Sequence, residues 1–247
     1  MALAIVGFLL LIIVPVMIAS LIAGAQRSAA RMRWMSLEEE FSIEAETAFK
    51  TAQVLVATDL SEALFTGVTE GSAYRSEDAA SCKRAGCTPP GYDCVCGFYA
   101  FRSRAEAAAM LGRTLVYYGV RPTALLTVEF DGEVLEYERG YRAAHQNVVA
   151  VEFVTTCDLC ERFGTASRAV ALAASQTFVP RRLSGLGRPT VRYPDGFLPV
   201  RPVCELHIPR EDPLAWVLDP GELSTLLAAE VRWLTPPGRS GQTGVAA

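Results

Sequence analysis

The chain has 247 residues, and its 23 Lys and Arg against 27 Asp and Glu give a formal net charge of −4 at neutral pH. A surface that binds nucleic acid is usually strongly basic, so this balance argues against DNA or RNA as a partner. The apolar content of 51% is raised by the N-terminal segment, and the remainder has the composition of an ordinary globular domain.

Residues 2–25 form an unbroken run of uncharged, mostly aliphatic side chains. As a helix, a run of this length extends roughly 36 Å, which exceeds the hydrocarbon core of about 30 Å. We therefore expect a transmembrane anchor over 1–25 that contacts the lipid bilayer. Arg27, Arg31 and Arg33 follow it. Because Lys and Arg favour the cytoplasmic side, we expect a single-pass protein of the cell membrane with a cytoplasmic C-terminal domain.

A cleavable signal peptide is the alternative interpretation of this run. Ala23, Gly24 and Ala25 offer a small-residue cleavage site. However, no Lys or Arg precedes the run, and it is longer than the apolar region of a signal peptide. Cleavage would produce an exported domain in which disulfides form between cysteines such as Cys82 and Cys87.

The next segment, 26–67, has the pattern of an amphipathic helix. Apolar residues recur at helical spacings, and the segment is free of Pro. The stripe consists of Phe41, Ala45, Ala48, Phe49, Ala52, Val56, Leu60 and Leu64. We expect a stalk helix that continues the membrane helix and packs on the domain, or on a second copy of itself.

The remaining chain predicts an α+β domain, with a small mixed or antiparallel sheet and short helices. The predicted organisation is an anchor over 1–25, a stalk over 26–67, a Cys-containing domain over 68–235 and a flexible tail over 236–247. Ser103 and Glu106 have the spacing of a capping box, which predicts a helix that begins after Ser103 and ends at Gly112.

Further elements follow along the chain. The dipeptide Asp131-Gly132 lies within an apolar run and favours a two-residue hairpin turn. Residues 148–154 predict a buried strand, and 167–175 a small helix. Asp219, Pro220 and Glu222 form a second capping signature, which predicts a final helix extending to about residue 234.

Two motifs resemble a group of uncharacterised proteins that is frequent in actinobacteria and their phages. The first is Cys-Val-Cys-Gly-Phe-Tyr-Ala over 94–100, and the second is Glu-Arg-Gly-Tyr-Arg-Ala over 138–143. The group combines a Cys-x-Cys-Gly-aromatic-Tyr-Ala motif with a downstream Glu-x-Gly-Tyr-Arg-Ala motif, and it often has a His where this chain has Tyr137. The resemblance implies a shared domain and a bacterial source, and it implies no mechanism.

The seven cysteines are the main candidates for chemistry: Cys82, Cys87, Cys94, Cys96, Cys157, Cys160 and Cys204. The two residues between Cys157 and Cys160 let both thiolates turn toward one zinc ion. Cys94 and Cys96 would lie on the same face of a strand. We therefore hypothesise a structural zinc site formed by these four, with Cys82 and Cys87 as substitutes for either pair. Disulfides and unlinked thiols are the alternatives.

These patterns favour a membrane-tethered binding or scaffold module whose ligand, a protein or a small molecule, stays unassigned. The first alternative is a membrane-anchored thiol-disulfide oxidoreductase that uses Cys157 and Cys160 at the start of a helix. The second is the exported, disulfide-stapled domain. Neither His145 nor His207 has an orienting partner that can be recognised in the sequence, so neither predicts a catalytic site.

Overall fold

The structure, a computed structural model, describes residues 47–67, 73–112, 121–179 and 193–234. Within these ranges the chain forms ten strands and a few short helices. The strands are β1 (Thr47–Ala57), β2 (Ala63–Gly67), β3 (Glu77–Ala79), β4 (Phe98–Phe101), β5 (Ala124–Tyr137), β6 (Gly140–Phe153), β7 (Ala171–Ala174), β8 (Phe197–Val203), β9 (Trp216–Leu218) and β10 (Glu230–Trp233). The α-helices are α1 (Arg104–Ala108), α2 (Asp158–Arg162) and α3 (Pro220–Leu227), and 3₁₀ helices span Gln176–Phe178 and Glu205–His207.

The sheet is organised around β1 and the long hairpin of β5 and β6. Strand β1 pairs antiparallel with β2, β4, β5 and β8, and the sheet continues from β8 through β7 to β9. At the other end β10 pairs with β6, and this pairing is parallel. The main core contains side chains from most of these strands, and Leu223 and Leu227 of α3 pack into it. The fold is therefore mostly antiparallel sheet rather than α+β.

The prediction of a stalk helix is wrong for residues 47–67, which form β1 and β2. Nearly every residue of β1 is buried, including the polar Lys50, Thr51 and Gln53. A central strand that is covered on both faces carries apolar residues at almost every position, so a helical spacing can be traced through it by chance. Residues 26–46 of the predicted stalk lie outside the described residues.

The prediction of a membrane localisation is also corrected. In the ranges that the structure describes, the longest helix is α3 with eight residues, and no helix is long and apolar enough to cross a bilayer. We therefore do not retain the predicted single-pass localisation in the cell membrane. The predicted anchor over 1–25 and the predicted tail over 236–247 lie outside the described residues.

The prediction of a hairpin around Asp131-Gly132 is wrong, because both of its expected arms lie in one continuous strand, and the hairpin that forms joins β5 to β6. Strand β5 continues through this dipeptide to Tyr137, and Tyr137 faces Gly140 across the turn. The register shifts by one residue between Asp131 and Val134, so Gly132 and Glu133 form a β-bulge opposite Ala144, with Gly132 at φ +78°. A positive φ suits Gly in a bulge as well as in a turn, and the sequence signal is the same for both.

Both predicted helix starts are confirmed. The Ser103 side chain accepts a hydrogen bond from the backbone N–H of Glu106, and Asp219 forms a complete capping box with Glu222. The helices are shorter than predicted. The α3 helix ends because Ala228 adopts a left-handed conformation, and β10 follows.

Two other predicted elements have different outcomes. The strand predicted over 148–154 is confirmed as the second half of β6. The helix predicted over 167–175 is wrong, because β7 lies there, between β8 and β9. Leu172, Ala173 and Ala174 of β7 are all buried. Consecutive residues are buried because both faces of a central strand are covered.

Candidate metal centres

The first candidate centre is a group of four thiols that we call the four-cysteine cluster: Cys82, Cys87, Cys94 and Cys96. Their Sγ atoms all lie within 4.8 Å of one another. The Sγ atoms of Cys82 and Cys94 are 3.4 Å apart, and those of Cys87 and Cys96 are 3.5 Å apart. In a tetrahedral zinc site with Zn–S bonds of about 2.3 Å, neighbouring sulfurs are about 3.8 Å apart. The measured spacings are close to this value and far from the bonded distance of a disulfide, about 2.05 Å.

Tight turns bring these thiols together, although the cluster lies between β3 and β4 without a strand or an α-helix of its own. The backbone N–H of Cys94 donates to the carbonyl of Gly91 at 3.1 Å. A Cβ at Gly91 would lie only 2.7 Å from the Sγ of Cys87, so this close approach requires Gly. The N–H groups of Arg84 and Gly91 lie 3.4 Å and 3.5 Å from the sulfurs of Cys82 and Cys96 and donate to them. The hydrogen bond from Arg84 favours the thiolate of Cys82, although the contact with the Cys94 thiol and desolvation raise the pKa of Cys82 overall.

The two motifs that carry the family resemblance are neighbours in the sheet, and together they support this cluster. Residues 98–101 in β4 pair with 140–143 in β6. The guanidinium of Arg142 donates to the backbone carbonyls of Cys94 and, at 2.9 Å, of Gly91. A Cβ at Gly97 would lie 2.7 Å from Cγ of Arg142, so Gly97 lets the loop approach β6. The motifs therefore hold the cysteine loop on the sheet.

The second candidate centre is a group that we call the cysteine–histidine cluster: Cys157, Cys160, Cys204 and His207. Nδ1 of His207 lies 3.4 Å from the Sγ atom of each of the three cysteines. The Sγ atoms of Cys160 and Cys204 are 3.7 Å apart. An ideal tetrahedral site would separate the imidazole nitrogen from each sulfur by about 3.6 Å. These four atoms also fit one zinc ion.

Each half of this cluster is a knuckle, meaning two ligands separated by two residues, at the end of a helix or a strand. Cys157 is the N-cap of α2, and Cys160 lies within it. Cys204 follows β8, and the N–H of His207 donates to its carbonyl at 2.9 Å. The three cysteines are 0%, 6% and 7% exposed, so the centre is shielded from solvent.

A buried ion-pair network joins the two knuckles. The carboxylate of Asp158, which lies between the cysteines of α2, pairs with Arg201 on β8, and both side chains are 1% exposed. Arg121 and Arg162 also contact Asp158, at 3.3 Å and 3.1 Å. Removing one member of such a network leaves a buried charge without its partner, which is strongly destabilising. The network therefore fixes α2 relative to the end of β8, and Cys204 is the residue that follows β8.

The thiols in each cluster differ in acidity. Hydrogen bonds from the backbone of Cys96 and from the Cys82 thiol lower the pKa of Cys94 to about 7. The contact with the Cys96 thiol raises the pKa of Cys87 to about 12. In the cysteine–histidine cluster, a hydrogen bond with Ser167 lowers the pKa of Cys160. Each cluster thus contains a thiol whose pKa is lowered, and binding of a metal ion releases the protons of its thiol ligands.

The structure divides the hypothesised four-cysteine zinc site between two centres. Cys94 and Cys96 lie with their proposed substitutes Cys82 and Cys87, whereas Cys157 and Cys160 lie with two other residues. Sequence reasoning gave no role to those two, Cys204 and His207. The available signal was the spacing Cys204-x-x-His207, which repeats the knuckle spacing of Cys157-x-x-Cys160.

The chain was compared with protein-family models, with curated proteins and with solved structures, and none of them matches it.

Proposed function

We propose that this chain is a binding or scaffold module in which two structural zinc ions hold the loops of an antiparallel sheet. The observation that carries the proposal is the gathering of eight ligand atoms into two sets of four, each set within 4.8 Å. Catalytic zinc sites keep one coordination position open for water or substrate, whereas structural sites use four protein ligands. Both sets supply four, which favours a structural role.

A binding role is further supported by the apolar surface beside the cysteine–histidine cluster. Leu206 and Phe163 are 89% and 81% exposed, and they are the most exposed large apolar side chains in the described ranges. Leu206 lies inside the Cys204-x-x-His207 knuckle, and Phe163 follows Cys160 by three residues. A metal ion that fixes both knuckles presents these side chains in a defined position, which a recognition surface requires.

The geometry does not favour a thiol-disulfide oxidoreductase at Cys157 and Cys160. The setting is suggestive, because Cys157 lies at the N-terminus of α2. However, its side chain is 0% exposed, and a reactive redox thiol must be reached by its substrate. Cys204 and His207 also occupy the space beside both thiols, as they would when sharing a metal ion with them.

Elemental analysis of the purified full chain tests the proposal. We expect about two zinc ions per chain, one for each set of four ligands. The two histidines provide a matched pair of variants, since His207 is a ligand and His145 is exposed on β6. His207→Ala should reduce the zinc content to about one ion per chain, and His145→Ala should leave it at two.

A second pair of variants separates the two centres. Cys94→Ser should remove the ion of the four-cysteine cluster, and Cys204→Ser should remove the other. A chain that binds no zinc and reduces a model disulfide would refute the module and support the enzyme. Equal zinc contents in the two histidine variants would refute the assignment of His207.

A further inference from the structure

The two clusters differ in their access to solvent. All four thiols of the four-cysteine cluster are partly exposed, whereas all three thiols of the other cluster are buried. A cavity of about 340 Å³ opens beside the first, lined in part by Arg84, Cys87 and Cys94. A small solute can therefore reach the sulfurs of one cluster, while protein covers those of the other.

The clusters also differ in how their thiols are paired. In the four-cysteine cluster all sulfurs lie within 4.8 Å of one another, and direct contacts of 3.4 Å and 3.5 Å join Cys82 to Cys94 and Cys87 to Cys96. Each pair needs to approach by about 1.4 Å to reach a disulfide bond of about 2.05 Å. The cysteine–histidine cluster has an odd number of thiols, and its imidazole cannot form a disulfide.

The position of the four-cysteine cluster in the fold permits this approach. Its thiols lie on the segment between Ala79 at the end of β3 and Phe98 at the start of β4. A shift within that segment leaves the pairing of β4 with β6 intact. In contrast, the ligands of the other cluster are held by α2, β8 and the buried pair of Asp158 and Arg201.

We propose that the four-cysteine cluster is a site of reversible oxidation, at which a two-electron oxidant such as hydrogen peroxide converts its ligands into two disulfides and releases its zinc ion. This inference rests on the proposed function, because it requires that the cluster holds zinc. The cysteine–histidine cluster keeps its ion under the same conditions.

Each disulfide forms in a balanced two-electron reaction. One thiolate of a pair attacks a peroxide oxygen, the O–O bond breaks, and a sulfenic acid and hydroxide result. The second thiolate attacks the sulfenic sulfur, the S–S bond forms, and a second hydroxide leaves. Two thiolates and one peroxide thus give one disulfide and two hydroxides. Two peroxides oxidise the cluster, and Zn²⁺ leaves without changing its charge.

The test uses the full chain loaded with zinc. Zinc is first counted in the reduced protein. Hydrogen peroxide is then added, zinc release is followed with a chromogenic chelator, and the cysteines are mapped by alkylation and mass spectrometry. We expect one of two ions to leave at least about tenfold faster than the other, because exposure of the thiolate governs its oxidation. The disulfides should join Cys82 to Cys94 and Cys87 to Cys96, and a dithiol with added zinc should restore the second ion.

The His207→Cys variant separates exposure from the number of thiols. It adds a fourth thiol at the partly exposed position of His207 and leaves the three original thiols buried. If the solvent exposure of the thiols, rather than their number, controls their oxidation, peroxide still releases a single ion from this variant. Release of both ions at similar rates from either protein, other disulfide pairings, or retention of both ions would overturn the inference. Fewer than two ions in the reduced protein would instead count against the proposed function.

Discussion

The Gly140→Ala variant tests whether the contact between the motifs at 94–100 and 138–143 supports the sheet beside the four-cysteine cluster. A Cβ placed on Gly140 would overlap the carbonyl oxygen of Ala100 and would lie 3.1 Å from Cα of Phe101. Both contacts are with the backbone of β4, which cannot rotate away as a side chain could. Gly140→Ala must therefore push β4 and β6 apart.

The expected loss of stability follows from the strand pairing that this variant disrupts. Four residue pairs join β4 to β6, from Phe98 with Ala143 to Phe101 with Gly140. Losing two to four of the backbone hydrogen bonds, at about 1 kcal/mol each, lowers the free energy of unfolding by about 2–4 kcal/mol. Urea unfolding of the zinc-loaded protein measures this change as a lower midpoint with the same slope.

Gly67 at the end of β2 is the matched control. Among the described residues, no heavy atom would lie within 4 Å of a Cβ there, and Gly67 does not adopt a positive φ. We expect Gly67→Ala to change the free energy of unfolding by less than about 1 kcal/mol. If Gly140→Ala were as mild as the control, the close approach of β4 and β6 would be refuted.

Three further predictions concern the metal centres, a buried lysine and a helix cap. A strong chelator such as EDTA should remove zinc in two phases, and the four-cysteine cluster should lose its ion first because its ligands are partly exposed. The time course of zinc release measures this, and a single phase would contradict the prediction. Lys50 is 8% exposed, and its burial lowers its pKa from 10.5 to about 7. Between pH 7 and 10.5 the unfolded chain therefore binds more protons than the native chain, and the free energy of unfolding should rise with pH. Lys50→Met should flatten that rise in urea unfolding at pH 7, 8 and 9, and an unchanged slope would refute the lowered pKa. Asp219→Ala removes two hydrogen bonds to the first turn of α3, at 2.6 Å and 3.0 Å. The free energy of unfolding should fall by about 1 kcal/mol in urea unfolding, and an unchanged value would refute the role of this cap.

Features that depend on a few neighbouring residues could be predicted from the sequence. The N-caps at Ser103 and Asp219 are of this kind, because a cap bonds to backbone groups within three residues of itself. The pairing of Cys157 with Cys160 is similar, since their spacing alone places both thiols on one knuckle. The bulge at Gly132 shows the limit of local signals, because the same dipeptide suits a turn.

The tertiary structure decided the features that depend on distant parts of the chain. Strand β1 has a helical spacing of apolar residues because nearly all of its residues are buried, and the strands that pair with it all follow it in the sequence. The two knuckles of the cysteine–histidine cluster, at Cys160 and Cys204, are separated by 43 residues. They meet because β8 carries Arg201 to Asp158. Six of the eight candidate ligands could be proposed from the sequence. The inclusion of Cys204 and His207, and the division of the eight into two centres, required the order of the strands, which sequence spacing does not encode.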